Sequence, residues 1–138
     1  MKAGYLQNWR TRLENANKIR IENSSKYFSN IHVNPNGKKN IPYLRFPLLL
    51  KSQQDRERIL KISKKQGLGV SPMYPTTIEK IPEFKGKLDQ EKYPIAEKVS
   101  ESLVTLPTHR FLTQKDQQKI CELLKTTDLE NRAKLTRV

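Results

Sequence analysis

The feature that most restricts the fold of this chain is a stretch of 27 residues, 5–31, without proline or glycine. Apolar side chains recur in it at steps of three and four residues, including Trp9, Leu13, Tyr27 and Ile31. This spacing places them on one face of a helix. At about 1.5 Å per residue the helix is roughly 40 Å long, more than a domain of this size covers. We therefore predict a long amphipathic helix, part of whose apolar face needs a partner.

Capping boxes predict where two later helices begin. Ser52 is followed three residues later by Asp55, and Thr113 by Asp116, so that each hydroxyl can accept a hydrogen bond from the backbone of the first helical turn. Gly67 follows the first of these helices and suits the left-handed residue that commonly ends a helix. The sequence therefore predicts helices that start at Gln53 and just after Thr113.

Short apolar runs separate the helices and predict strands over 43–50, 68–70 and 103–106. Pro47 lies inside the first run, which assigns that run to an edge strand or to a bulge. A further helix is predicted from Pro94, because proline fits the first turn and apolar residues follow at helical spacing. The stretch 76–90 shows little periodicity and is expected to be irregular.

The order of these elements indicates an α+β fold. Short strands between helices, without a glycine-rich βαβ signature, predict a two-layer domain in which helices cover a small, mainly antiparallel sheet. We divide the chain into a long connecting helix over 1–31, a small α+β domain over 32–125 and a frayed tail over 126–138. A turn over 32–40, rich in Asn, Pro and Gly, separates the first two.

The charge of the chain admits several kinds of partner. It has 27 Lys and Arg against 14 Asp and Glu, a formal net charge of +13, and the excess lies in the first 90 residues. Such an excess is compatible with nucleic acid, an anionic surface or a phosphorylated ligand. No helix-turn-helix or zinc-finger spacing specifies one of them. A basic nucleic-acid-binding module and a protein-interaction module therefore both remain as alternatives.

Motifs for self-contained catalysis are missing from the sequence. Neither a P-loop nor a GxGxxG loop for phosphate binding occurs. The two histidines, His32 and His109, lie far apart in the sequence, so we predict no metal site. Cys121, the single cysteine, falls on the apolar face of the last helix, where a thiol acts as a small hydrophobe. With one cysteine, no signal peptide and no apolar run of membrane-spanning length, we expect a cytoplasmic protein without a membrane partner.

One loop carries more information. In the sequence SPMYP, two prolines restrict the backbone around Met73 and Tyr74. Such a rigid loop either presents these two side chains to a ligand or another chain, or lets them fill the core.

The motifs in their order resemble the carboxyl-terminal part of the DegT/DnrJ/StrS family of pyridoxal-phosphate-dependent sugar aminotransferases. The resemblance covers roughly residues 5–125, and the opening helix is similar to the one that links the large and small domains in that family. The matching motifs are Gly67-Leu68-Gly69-Val70, Tyr74-Pro75, Ala96-Glu97-Lys98-Val99, Leu106-Pro107 and Thr113 to Asp116.

The resemblance implies the small domain of a fold type I enzyme, without the large domain that carries the catalytic lysine and the cofactor. It implies no catalytic residue in this chain, no pyridoxal phosphate bound by the chain alone, and no transamination without the missing domain. For the full-length enzyme it implies pyridoxal phosphate, a homodimer and a nucleotide-sugar substrate, whose cleft the small domain helps to close. The resemblance makes Met73 and Tyr74 candidates for contact with the substrate. His109 and Arg110 are further candidates, and the alternative for this second pair is a solvated turn without a binding role.

Overall fold

A computed structural model describes residues 7–31, 40–74, 76–84 and 93–126. The first residues of the long helix predicted from the sequence lie outside these ranges, as do the predicted turn over 32–39 and Pro75. The stretch 85–90 and the tail from residue 127 onward also lie outside them.

Four helices form the larger part of the described structure: α1 (Trp9–Asn30), α2 (Gln53–Gln66), α3 (Pro94–Ser102) and α4 (Gln114–Lys125). Both capping boxes are confirmed, since the backbone nitrogen of Asp55 donates to Ser52 Oγ and that of Asp116 to Thr113 Oγ1, each at 3.1 Å. Gly67 ends α2 with a φ of 67°, as predicted. Within the described ranges, none of the helices is both long and apolar enough to cross a membrane.

The sheet has three antiparallel strands, β1 (Arg45–Leu49), β2 (Ser71–Pro72) and β3 (Leu103–Pro107), in the order β1-β3-β2. β1 is an edge strand, which is where a strand tolerates Pro47. The central strand is the last in sequence, and all five of its residues are buried. With the helices, this sheet confirms the predicted α+β fold with a long N-terminal helix.

The prediction of a strand over 68–70 is wrong, because the second strand begins at Ser71. Gly69 adopts a φ of 74°, which interrupts an extended backbone. Leu68 and Val70 on either side of it are both buried in the core. Ser63 Oγ accepts a hydrogen bond of 2.9 Å from the backbone nitrogen of Val70 and holds this segment against α2.

The core lies between one face of the sheet and the helices. Phe46 and Leu48 of β1 stand opposite Leu106 and Val104 of β3 and point to this face. The helices contribute fully buried side chains to the same cluster: Tyr27, Ile59, Ile120 and Leu124. Leu60 of α2 and Leu123 of α4 are partly buried and pack against the margin of this cluster.

Only the second half of α1 packs on this core. Tyr27 is fully buried, and its hydroxyl donates to the carbonyl oxygen of Pro107 at 3.0 Å. One turn earlier, the side-chain nitrogen of Asn23 donates to the carbonyl oxygen of Thr108 at 3.1 Å. In contrast, Trp9 and Leu13 near the start of the helix are 49 % and 47 % exposed. The apolar face of α1 thus continues beyond the part that the domain covers.

Candidate functional site

The loop after β2 carries the first two candidate residues at the surface. Met73 and Tyr74 are 55 % and 49 % exposed, so neither fills the core and that alternative is wrong. The guanidinium of Arg56 on α2 holds the loop, since Nε donates to the carbonyl oxygen of Leu103 at 3.3 Å and Nη2 to that of Tyr74 at 3.2 Å. One side chain therefore fastens the loop to both α2 and the start of β3.

A second arginine positions the segment just before this loop. Arg45 on β1 donates from Nε to Thr105 Oγ1 at 2.8 Å and from Nη2 to the carbonyl oxygen of Gly69 at 2.6 Å. Ser71 Oγ lies 3.2 Å from the same threonine hydroxyl. Partial burial lowers the pKa of Arg45. These contacts join all three strands on the polar face of the sheet and set the direction in which β2 leaves it.

Beside Tyr74 lies an open groove of about 500 Å³. One wall comes from the loop after β2, with Tyr74, Thr77 and Ile78, and the other from α3, with Ala96 and Val99. Ala96 and Val99 were predicted as part of an apolar helix face, and the structure places this face on the groove. Among the described residues that line the groove, none has a side chain with a formal charge.

The other two candidates, His109 and Arg110, are exposed in a turn after β3. The turn is closed by a hydrogen bond of 3.1 Å from the backbone nitrogen of Leu112 to the carbonyl oxygen of His109. The Arg110 guanidinium lies 4.7 Å from the centre of the Phe111 ring, which is 73 % exposed. Asn23 of α1 contacts the backbone of this turn, so the turn stands beside the long helix.

The structure does not bring the two pairs of candidates together. Arg56 bonds both to the carbonyl oxygen of Tyr74 and to that of Leu103, the first residue of β3, so Tyr74 lies near the start of this strand. His109 instead follows the end of β3. At about 3.4 Å per residue, five strand residues separate the two places by roughly 17 Å. The two pairs of candidates therefore lie at opposite ends of β3.

Cys121 is part of the apolar core, as predicted. It is 4 % exposed, and burial raises the pKa of its thiol. This environment favours the neutral form, which is the unreactive one. Across the described part of the chain, no three His, Cys, Asp or Glu side chains are grouped as metal ligands would be.

The sequence matches a known protein family over most of its length. The profile of the DegT/DnrJ/EryC1/StrS aminotransferase family matches residues 6–125, which include all four helices and all three strands. The chain belongs to this family. A search of curated proteins gave no significant match. The resemblance inferred from the order of the motifs is confirmed, and the match begins shortly before α1 in the sequence and ends with α4.

Pyridoxal phosphate, the cofactor implied for DegT-type aminotransferases, has definite requirements. It needs a lysine for covalent attachment, a carboxylate near the pyridine nitrogen and polar groups around the phosphate. Every lysine in the described ranges is exposed, and the groove beside Tyr74 offers neither a lysine nor a carboxylate. The described residues of this DegT-family chain therefore do not fit the cofactor.

Sequence reasoning missed several residues that shape the candidate site of this DegT-family chain. Arg56 looked like one of many surface cations, and Thr77 lay in a stretch without periodicity. The importance of each residue depends on contacts made in the folded chain. Arg56 bonds to residues that lie 18 and 47 positions away in the sequence, and Thr77 lines the groove with 6 % of its surface exposed. No local pattern marks such residues.

Proposed function

We propose that this chain serves as the carboxyl-terminal domain of a pyridoxal-phosphate-dependent nucleotide-sugar aminotransferase, and that it is inactive without a large catalytic domain. The family match over residues 6–125 carries this proposal. The absence of a fit for the cofactor among the described residues supports it. In this view the chain supplies a wall of the substrate cleft, and the large domain supplies the lysine.

The exposed half of α1 is the proposed connection to the large domain. Trp9 and Leu13 lie one turn apart, each about half exposed, on a part of the helix where every residue from 7 to 15 is exposed. Apolar side chains on such a projecting helix gain stability when a partner covers them. Asn23 and Tyr27 anchor the other half, so the helix is held at one end and free to dock at the other.

The loop with Met73 and Tyr74 is the proposed contact with the substrate. Pro72 restricts its backbone, and Arg56 holds the carbonyl oxygen of Tyr74. A loop held in this way presents its two side chains without a large loss of conformational entropy on binding. We assign the sugar-side contact to Tyr74 and Met73.

His109 and Arg110 are assigned to a second contact. A guanidinium can bind an anionic diphosphate through charge-assisted hydrogen bonds, and the stacking of Arg110 on Phe111 orients it. Because this turn lies roughly 17 Å from the Tyr74 loop, it would meet a different part of an extended substrate, or a different chain.

The test is transamination in trans. The chain is mixed with the large domain of a family aminotransferase produced without its own small domain, together with pyridoxal phosphate, glutamate and a nucleotide keto-sugar. We expect no product from the chain alone, restored turnover from the mixture, and at least a tenfold loss with Tyr74→Ala. Phe84→Ala is the matched control, since Phe84 is 44 % exposed and lies outside the loop. Turnover by the chain alone, or equal activity of both variants, would refute the proposal.

A specific observation keeps nucleic acid as a second candidate. The exposed face of α2 carries Lys61, Lys64 and Lys65, for which the described residues provide no ion-pair partner. If this face contacts phosphates, affinity for DNA or RNA falls steeply and log-linearly as the salt concentration rises. Replacing the three lysines with glutamine should then flatten the salt dependence, whereas an unchanged slope would exclude this face.

A further inference from the structure

The groove beside Tyr74 has the features of a ligand site that the family assignment does not provide. Its volume of about 500 Å³ falls within the range of small-molecule pockets. It is lined by residues of this chain, so its occupation does not require the large domain. Binding of a ligand in this groove would therefore be separate from the proposed function and does not depend on it.

The chemistry of the walls restricts what can bind. Tyr74 and Tyr93 flank the groove and are about half exposed, so aromatic surface faces the opening. Ala96 and Val99 stand three residues apart on α3 and form an apolar wall. Because the lining side chains in the described part of the chain carry no formal charge, they offer a charged ligand group no partner to compensate for its lost hydration. The walls therefore favour an uncharged, aromatic ligand.

A buried hydroxyl adds a polar requirement. Thr77 is 6 % exposed and lines the groove, and its Oγ1 has no hydrogen-bond partner among the described residues. Buried polar atoms without partners are uncommon in proteins and carry a free-energy cost. In the structure Oγ1 is enclosed by protein atoms, so the hydroxyl reaches the groove only by rotation about the Cα–Cβ bond to another staggered position. A ligand with a carbonyl oxygen at the base of the groove would give this hydroxyl the acceptor that it lacks.

We propose that this groove binds a small, uncharged aromatic molecule whose ring packs between Tyr74 and the wall formed by Ala96 and Val99, and whose carbonyl oxygen accepts a hydrogen bond from Thr77. The site joins the loop after β2 to α3. A bound molecule would therefore contact both elements at once.

The experiment uses two probes of nearly the same shape, acetophenone and ethylbenzene, which differ by the carbonyl oxygen. Each is titrated into the complete chain while backbone and methyl NMR signals are followed. We expect saturable shifts at Thr77, Ala96 and Val99, with weak affinity because the probes are so small. Thr77→Val should lower the ratio of acetophenone affinity to ethylbenzene affinity by about fivefold to tenfold, the contribution of one hydrogen bond. Its free energy of unfolding should stay equal or rise, since an unpartnered hydroxyl is removed.

A pair of tryptophan variants locates the binding. Ala96→Trp fills the groove and should abolish the shifts of both probes. Ile95→Trp adds the same side chain on the same helix, at a residue that is 79 % exposed and does not line the groove, and should leave them unchanged. Absence of saturable shifts in the groove, or equal binding by both tryptophan variants, would overturn the inference. An affinity ratio unaffected by Thr77→Val would overturn the role of the hydroxyl. Since no large domain or turnover enters this experiment, its failure is distinct from failure of the proposed function.

Discussion

Asn23→Ala tests how the long helix is fastened to the domain. The Asn23 side chain is buried and donates to the carbonyl oxygens of Thr108 and His109, at 3.1 and 3.4 Å. These bonds connect residues 85 and 86 positions apart in the sequence. Removal of the amide leaves the carbonyl oxygen of Thr108 without this donor in a buried place, and removes a contact between α1 and the turn that carries Arg110.

The expected cost follows from three contributions. A buried carbonyl that loses its partner costs about 2 kcal/mol, and the longer bond to His109 adds roughly 0.5 kcal/mol. The space left by the amide adds about 1 kcal/mol. Alanine returns roughly 0.6 kcal/mol through its higher helix propensity. The free energy of unfolding should therefore fall by about 3 kcal/mol, a large part of the stability of a small domain.

The assay is urea denaturation followed by circular dichroism, with Asn30→Ala as the matched control. Asn30 lies on the same helix, and within the described part of the chain its side chain bonds to the carbonyl oxygen of Lys26 in its own helix and to no other element. This control should change the free energy of unfolding by less than about 0.5 kcal/mol. If Asn23→Ala is no more destabilising than Asn30→Ala, the proposed fastening of α1 is refuted.

Three further predictions concern the loop, the helix end and the core thiol. Arg56→Gln should remove the bonds to Leu103 and Tyr74, cost about 1 kcal/mol and speed amide exchange in the loop, whereas unchanged exchange would contradict the role of Arg56. Gly67→Ala should cost about 1 kcal/mol in thermal or chemical denaturation, because the φ of 67° strains any residue with a Cβ, although nothing lies within 4 Å of the added atom. Burial raises the pKa of Cys121 above its unfolded value, so its contribution to stability is complete below that value and lost at higher pH. The free energy of unfolding should accordingly fall from about pH 8 to about pH 10, and fall less in Cys121→Val; equal slopes would contradict this.

The sequence reveals structural features that depend on neighbouring residues better than features that depend on contacts in the folded chain. The capping boxes at Ser52 and Thr113 and the left-handed Gly67 were predictable, because each depends on residues within one helical turn. Pro47 limited the first strand to an edge position or a bulge, and the strand order shows that β1 is an edge strand. The start of β2 was misplaced, because alternation in a three-residue run does not show that Gly69 breaks the strand.

The candidate site was predictable only in part. The two prolines of the loop indicated that Met73 and Tyr74 are held rigidly, but not that Arg56 holds them. The sequence also did not show that Tyr74 and His109 lie at opposite ends of β3, since that depends on the strand order. Buried polar groups such as Thr77 become visible only when their surroundings are known.

We propose that this chain acts by docking onto a large catalytic domain through the exposed half of α1. Sedimentation velocity on a mixture of the chain with the large domain of a family aminotransferase, produced without its own small domain, tests it most directly. We predict a one-to-one complex that is lost in a Trp9→Asp, Leu13→Asp double variant with an unchanged circular dichroism spectrum, because both residues are about half exposed in the chain alone. Folded chain that sediments separately from the large domain, or a complex that persists in the double variant, would contradict the claim.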